Sequence, residues 1–216
     1  MSYSGVIFDL DGTLIKSELN YLRAWRRAAY KTGVKVSFDL YVGLMGLNRI
    51  DTIIKLTGIW RSSSKATCFV DESQRQYDRF VAAEGHILRP GIETLLDHLV
   101  AKNRPLAVAT SCHRSLALQT LRDTGLARYF KSVVAGDEVT HGKPDPEIYL
   151  SAAESLGIEA RNCLAFEDSS QGTTSALRAG MKVVLIPELE NDTSELTKIS
   201  DVVRYANHAE AIELFV

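Results

Sequence analysis

Short, largely apolar runs alternate with helical patterns along most of this chain, and that alternation limits its fold more than any other feature. The runs are residues 6–10, 106–110, 132–135, 163–166, 183–186 and 201–203. Apolar side chains at nearly every position, rather than at every second one, suit strands covered on both faces of a parallel sheet. Between the runs lie helical stretches. Ile92, Leu95, Leu96, Leu99 and Val100 repeat at i, i+3, i+4, i+7 and i+8. Asp145, Pro146 and Glu147 open another helix, with Asp as N-cap and Pro at the first position, and Gly157 closes it. The order predicts an α/β fold with a doubly wound, Rossmann-like parallel sheet.

One segment breaks the alternation. From 16 to 84 only helical patterns occur. Leu22, Trp25 and Ala29 share one face. Ile50, Ile53, Ile54 and Thr57 share another, with Gly58 as the stop. Ala66, Phe69, Val70, Ser73, Tyr77, Phe80 and Val81 form a third stripe. Apolar stripes at this spacing are core faces of amphipathic helices. Residues 16–84 are therefore expected to form a helical domain inserted after the first strand. Residues 1–15 and 85–216 make the α/β domain, and Arg89-Pro90-Gly91 marks the return to it. At about 150 residues per domain, a chain of 216 residues suits one domain with a sizeable insertion. The stretch 188–216 is expected to complete the sheet edge and a final helix.

Composition removes several function classes. Lys plus Arg is 25 and Asp plus Glu is 27, a net charge of −2, which gives no global pull toward nucleic acid or an anionic membrane. No apolar run approaches the ~20 residues of a membrane span. The N-terminus is short and polar and leads straight into a strand, unlike a signal peptide. Cys68, Cys112 and Cys163 are odd in number and far apart, so neither a disulfide framework nor a cysteine zinc site is expected, and a cytoplasmic protein is. The histidines are scattered without HxH or HExxH spacing. Gly136 to Lys143 superficially resembles a P-loop, but the glycine spacing is one residue too long and Pro144 stands where Ser or Thr is required. A monomer or small homo-oligomer is expected.

Polar side chains gather at the carboxyl ends of four of the strands. The first ends in Asp9-Leu10-Asp11-Gly12-Thr13 and the second in Thr110-Ser111. The loop after the third carries Gly142-Lys143-Pro144, and the fourth ends in Glu167-Asp168-Ser169. In open parallel sheets the ligand crevice lies outside those ends, so these residues can share one pocket. Asp9, Asp11 and Asp168 close together would repel one another unless a cation intervenes. Oxygen ligands of this kind suit a hard ion, and Mg²⁺ is the natural choice. Metal, Lys143 and the donors of Thr110 and Ser111 can neutralise and orient a transferring phosphoryl group, and a carboxylate can serve as nucleophile.

The string Asp9-Leu10-Asp11-Gly12-Thr13-Leu14 resembles the first motif of the haloacid dehalogenase superfamily. Thr110, Lys143 and Glu167-Asp168-Ser169 resemble its second, third and fourth motifs, in order. Residues 165–181 are similar to the subgroup that contains β-phosphoglucomutase, phosphoglycolate phosphatases and many sugar-phosphate phosphatases. The resemblance spans about residues 5–190 and implies a Mg²⁺-dependent phosphomonoester hydrolase acting on a small phosphorylated metabolite, a sugar phosphate or phosphoglycolate. It implies Asp9 as nucleophile and metal ligand. Asp11 would be the acid–base, with its carbonyl on the metal. Asp168 would be a metal ligand, with Glu167 beside it as ligand or support. Thr110 and Ser111 would bind the phosphoryl group, Lys143 would balance its charge, and residues 16–84 would form a mobile cap. Asp11 argues against dehalogenase and phosphonatase chemistry, which lack that second acid. Arg49 resembles the cap arginine that contacts the non-transferring phosphate in the mutase. Two positions depart from the pattern. Lys16 stands where relatives often have an acid, and Tyr21 stands where the mutase and many phosphatases carry a histidine, which weighs against a phosphosugar mutase. A non-catalytic regulatory protein on the same fold is the remaining alternative.

Overall fold

Successive residues of the first strand point to opposite faces of one sheet, and both faces are buried. Val6 and Phe8 enter one apolar cluster with Leu95, Val108 and Phe166. Ile7 enters another with Ala107, Tyr149 and Ala165. In the computed structural model, which describes residues 3–189 and 195–215, six strands are β1 (Gly5–Phe8), β2 (Leu106–Thr110), β3 (Ser132–Ala135), β4 (Cys163–Glu167), β5 (Lys182–Leu185) and β6 (Val202–Arg204). Every neighbouring pair is parallel, in the order β3-β2-β1-β4-β5-β6. The expected doubly wound sheet is present. Its strand order reverses between β1 and β4, which is where such folds open a ligand crevice.

All six strands lie outside residues 16–84. Inside that range are α1 (Glu18–Thr32), α2 (Phe38–Val42), α3 (Arg49–Trp60) and α4 (Ser63–Glu84). Beyond it come α5 (Ile92–Ala101), α6 (Arg114–Asp123), α7 (Glu147–Leu156) and α8 (Ser170–Arg178). The first four helices build their own core. The ring of Phe69 meets Trp25 at 4.9 Å and Trp60 at 5.2 Å, both nearly perpendicular, the edge-to-face geometry aromatic pairs favour. Among the described residues no helix is long and apolar enough to cross a membrane.

Three details differ from the sequence reading. The apolar face assigned to α3 is largely turned outward: Ile50 and Ile54 are 67% and 61% exposed, and Thr52 and Leu56 are the buried residues. A helix leaning on one neighbour, here α4, buries a narrow stripe, and α3 carries more apolar residues than that stripe holds. Gly58 does not stop it; the helix runs to Trp60 and ends at Arg61 in the left-handed region. The helix after Asp145 begins at Glu147, whose N–H donates to the Asp145 carboxylate at 3.0 Å. The C-terminal stretch supplies edge strand β6 and the expected final helix, which is a 3-10 helix at 210–215; residues 1–2, 190–194 and 216 of the expected segments lie outside the described residues.

The chain leaves and re-enters the sheet region at one place. The Lys16 N–H donates to the Ile87 carbonyl at 2.7 Å, and the Arg89 N–H donates to the Leu14 carbonyl at 3.0 Å. Ile15 and Leu88 form an antiparallel bridge between these bonds. From the loop after β5, Glu188 accepts hydrogen bonds from the Ser17 and Glu18 N–H groups at 2.9 and 3.1 Å, seating a carboxylate at the N-terminus of α1, where the helix dipole favours it.

His208 is fully buried, with its ring stacked 6.0 Å from that of Phe166. Burial, with Arg89 nearby, pushes its pKa down to about 3. Below the ordinary value of about 6.5 the unfolded chain takes up a proton that the folded chain refuses, so stability falls as pH drops from there toward 3, by up to about 1.4 kcal/mol per pH unit. Replacing His208→Leu is expected to flatten the decline in urea-unfolding free energy between pH 6.5 and 4.5. Parallel declines in the two proteins would rule His208 out as its source.

Candidate active site

The crevice at the strand-order reversal is built from backbone continuity. The Asp9 N–H donates to the Phe166 carbonyl at 3.0 Å, which carries the β1–β4 ladder one residue past β1. The chain then turns at once. Gly12 has φ +76°, and a Cβ there would lie 1.9 Å from the Asp168 carboxylate. This position therefore needs glycine both for its left-handed backbone and for the close approach. The Gly12 N–H donates to the Ser17 hydroxyl at 2.9 Å. Across the crevice Ser169 caps α8 by accepting from the Gly172 N–H at 3.1 Å, which holds Glu167 and Asp168 at the strand end.

Lys143 enters from the loop between β3 and α7 and is almost fully buried. Its Nζ donates to Asp9 Oδ1 and to Glu167 Oε1, both at 2.6 Å. The Tyr149 hydroxyl donates to the same Glu167 oxygen at 2.6 Å. The other oxygen, Oε2, accepts from the Asp168 and Ser169 N–H groups and from the Ser169 hydroxyl. Both oxygens of Glu167 are thus occupied, and its arrangement is that of a support for Lys143. Burial opposes the charge of Lys143, but Asp9 and Glu167 overcome it and raise its pKa.

Around this one ammonium stand more acids than it can offset. Burial pushes the Asp9 carboxyl up against the pull of Lys143. Asp168 is raised well above the usual range by burial and then by Glu18, Glu167 and Asp9. Asp11 is pushed to about 6, chiefly by burial. Asp9, Glu167 and Asp168 offer oxygens within 4.8 Å of one another, and Asp168 Oδ2 is buried without a hydrogen-bond partner. This all-oxygen, all-carboxylate set fits a hard divalent cation such as Mg²⁺.

A cavity of about 550 Å³ opens above these groups. On its lining the structure brings together Asp9, Asp11, Asp168, Thr110, Ser111 and Arg49 of the sequence-derived set, with Lys143 and Glu167 bonded beneath Asp9. Thr110 is buried, and its hydroxyl accepts from the Cys112 N–H at 3.1 Å. Ser111 instead reaches across to the helical segment, donating to the Gly46 carbonyl at 2.6 Å. Arg49 is half exposed, and its guanidinium is engaged by Asp71. Lys16 is exposed. Tyr21 stacks on Tyr77, with ring centroids 3.8 Å apart. Burial and the nearby Asp11 push the Cys112 thiol up, in keeping with a filler rather than a nucleophile.

Three neighbours of the site were not singled out from sequence. Glu18 and Tyr41 line the cavity, and Glu188 adds charge near Asp11 and Glu18. Burial raises Glu18 to about 8 against the opposing hydrogen bond from Tyr41. An acid in a first helical turn reads as an ordinary dipole partner, and nothing local in the sequence marks it as inward-facing.

Comparisons with known proteins bear on this arrangement. Residues 6–186 match the family described as Haloacid dehalogenase-like hydrolase. The phosphorylated carbohydrates phosphatase of Thermotoga maritima is 35% identical over 177 residues, 82% of this chain and 82% of that protein. The fructose-1-phosphate phosphatase YqaB of Escherichia coli is 31% identical over 192 residues, 84% of this chain and 95% of that protein. The crystal structure of β-phosphoglucomutase from Clostridium difficile shares the fold at a TM-score of 0.80 and 23% identity, over 96% of this chain and 92% of that one.

If Tyr149 helps hold Glu167, Tyr149→Phe leaves one lone pair of a buried carboxylate without its donor. The expected loss is about 1.5–3 kcal/mol of folding stability, the range for hydrogen bonds to charged groups. Chemical denaturation measures it, and a change under about 0.5 kcal/mol would show that the bond contributes little.

Proposed function

The chain belongs to the haloacid dehalogenase-like hydrolases, and from that membership we propose that it is a Mg²⁺-dependent phosphomonoester hydrolase working through a phosphoaspartate on Asp9. The observation that carries this reading is the Asp9 carboxylate itself. It stands at the strand-order reversal, bonded to Lys143 at 2.6 Å, and opens onto the same cavity as Asp11 and Asp168. The phosphatase names of its relatives support the reaction class. The substrate is a small phosphorylated metabolite, a sugar phosphate or phosphoglycolate.

Asp9 attacks phosphorus, and the bond from phosphorus to the ester oxygen breaks. Asp11 gives that oxygen a proton, so the alcohol leaves neutral. Asp11 then takes a proton from water as the water attacks the phosphoaspartate, which releases phosphate and restores Asp9. A carboxyl raised toward neutrality by burial suits that double role. Lys143, supported by Glu167, holds Asp9 in place and balances the phosphoryl charge. Thr110 contacts phosphoryl oxygens through its hydroxyl and Ser111 through its backbone N–H, since the Ser111 hydroxyl is taken by the Gly46 carbonyl. Asp9, Asp168 and the Asp11 carbonyl would hold Mg²⁺, with Glu167 behind them. When bound, the ion neutralises charge on the carboxylates and on the phosphoryl oxygens.

Residues 16–84 serve as the cap that covers the reacting groups and keeps bulk water out. Arg49 is a contact on the cap wall. Its engagement by Asp71 and the Tyr21–Tyr77 stack at the position of the mutase histidine favour hydrolysis over a mutase, which must retain a bisphosphate.

Phosphate release from a panel of phosphorylated metabolites tests the reading. One or a few compounds are expected to be hydrolysed with Mg²⁺, and Asp9→Asn is expected to lower turnover by at least about 10³-fold with the fold intact. Substantial release by the variant would remove Asp9 as nucleophile. EDTA is expected to abolish release and added Mg²⁺ to restore it; activity indifferent to chelation would refute the metal requirement.

A further inference from the structure

Glu18 is a carboxylate that the phosphoryl transfer does not use. It is 7% exposed, lies on the cavity wall and comes from the first turn of α1. Its Oε2 accepts from the Tyr41 hydroxyl at 2.5 Å. The same hydroxyl also lies 3.1 Å from the Glu18 carbonyl, so two contacts fix the pair. The start of α1 does not need this side chain as a cap, because Glu188 takes the Ser17 and Glu18 N–H groups. A carboxylate so nearly buried is costly unless partners satisfy it, and Tyr41 supplies one hydrogen bond. Glu18 lines the cavity, so a molecule bound there can reach the carboxylate.

The rest of the wall narrows what can meet it. Arg49 and His113 are the basic side chains on the lining. Each has an acidic partner: Asp71 for Arg49, and Asp137, at 3.0 Å, for His113. A carboxylate or second phosphate on the leaving group would face Glu18 with no unpaired cation among the described lining residues to receive it. A hydroxyl group donates readily to a carboxylate oxygen and forms one of the stronger neutral-to-ion hydrogen bonds.

We propose that Glu18, oriented by Tyr41, accepts hydrogen bonds from the hydroxyls of a neutral polyol leaving group and so selects sugar and polyol phosphates over phosphoesters whose leaving group carries a second anion. This rests on the phosphatase reading of the site, and it divides the two substrate types named there: sugar phosphates are accepted and phosphoglycolate is disfavoured.

Binding to the Asp9→Asn protein with Mg²⁺ present, measured by calorimetry at pH 9, above the value of about 8 to which burial raises Glu18 and so with its carboxylate ionised, separates recognition from turnover. The ligands are glycerol 1-phosphate and sorbitol 6-phosphate on one side, and phosphoglycolate and 3-phosphoglycerate on the other. The polyol esters are expected to bind roughly tenfold or more tighter than the acids, a difference one charge-assisted hydrogen bond can supply. Adding Glu18→Gln is expected to shrink that ratio by about tenfold, and Tyr41→Phe to move it in the same direction by less. Acids that bind as tightly as polyols in the parent protein overturn the proposal. So does a ratio unmoved in both variants when circular dichroism shows them folded. Failure of the wild-type protein to release phosphate from any ester would defeat the phosphatase reading instead, and the binding ratio would still decide the role of Glu18.

Discussion

Lys143 places one ammonium between two buried carboxylates, and the site depends on that contact. An amine taken out of water keeps its charge only where opposite charge meets it directly. Asp9 and Glu167 do so at 2.6 Å each, and they come from ends of adjacent parallel strands. The ladder between β1 and β4 therefore sets the distance between the two acids. The same closeness leaves the crevice with an excess of negative charge. At the buried, unpartnered oxygen of Asp168 no hydrogen bond offsets that excess, which is why a divalent cation fits the floor.

Floor and wall have different physical origins. The floor is backbone-determined: strand ends, a left-handed glycine and a helix cap leave Asp9, Asp11 and Asp168 little freedom. The wall is side-chain-determined, resting on aromatic packing among α1, α2, α3 and α4. Changes to wall residues such as Met45 or Leu47 alter the shape of the cavity without touching the ladder beneath it. A chemistry common to the hydrolase family can thus be kept while the leaving group it accepts varies.

The floor was legible in the sequence because its residues follow apolar runs, and a strand end gives a polar residue an address. Seven residues from four separate segments could be assigned to one crevice without knowing a single distance. The wall was much less legible. Glu18 follows no strand, and its backbone N–H is held by Glu188, some 170 positions away, while its side chain is held by Tyr41. Tyr41 sits in a five-residue helix too short to show a period. The misread face of α3 has the same cause: a helix rich in isoleucine offers several apolar stripes, and only its contact with α4 decides which is covered. For Ser111 the residue was identified, but its hydroxyl bonds the Gly46 carbonyl of the helical segment, a contact that periodicity does not encode.

The paired crossing at Leu14–Lys16 and Ile87–Arg89 has a mechanical meaning. Two strands bonded to each other cannot twist independently; bending one bends the other. The helical segment is thus attached as a door on two adjacent hinges, rather than as a weight on a string. If the helical segment swings as a cap, this bridge reduces its freedom to one axis, and Glu18 and Tyr41 would travel together along that arc. The wall would then return to the floor in one register, and the substrate would not have to correct its alignment.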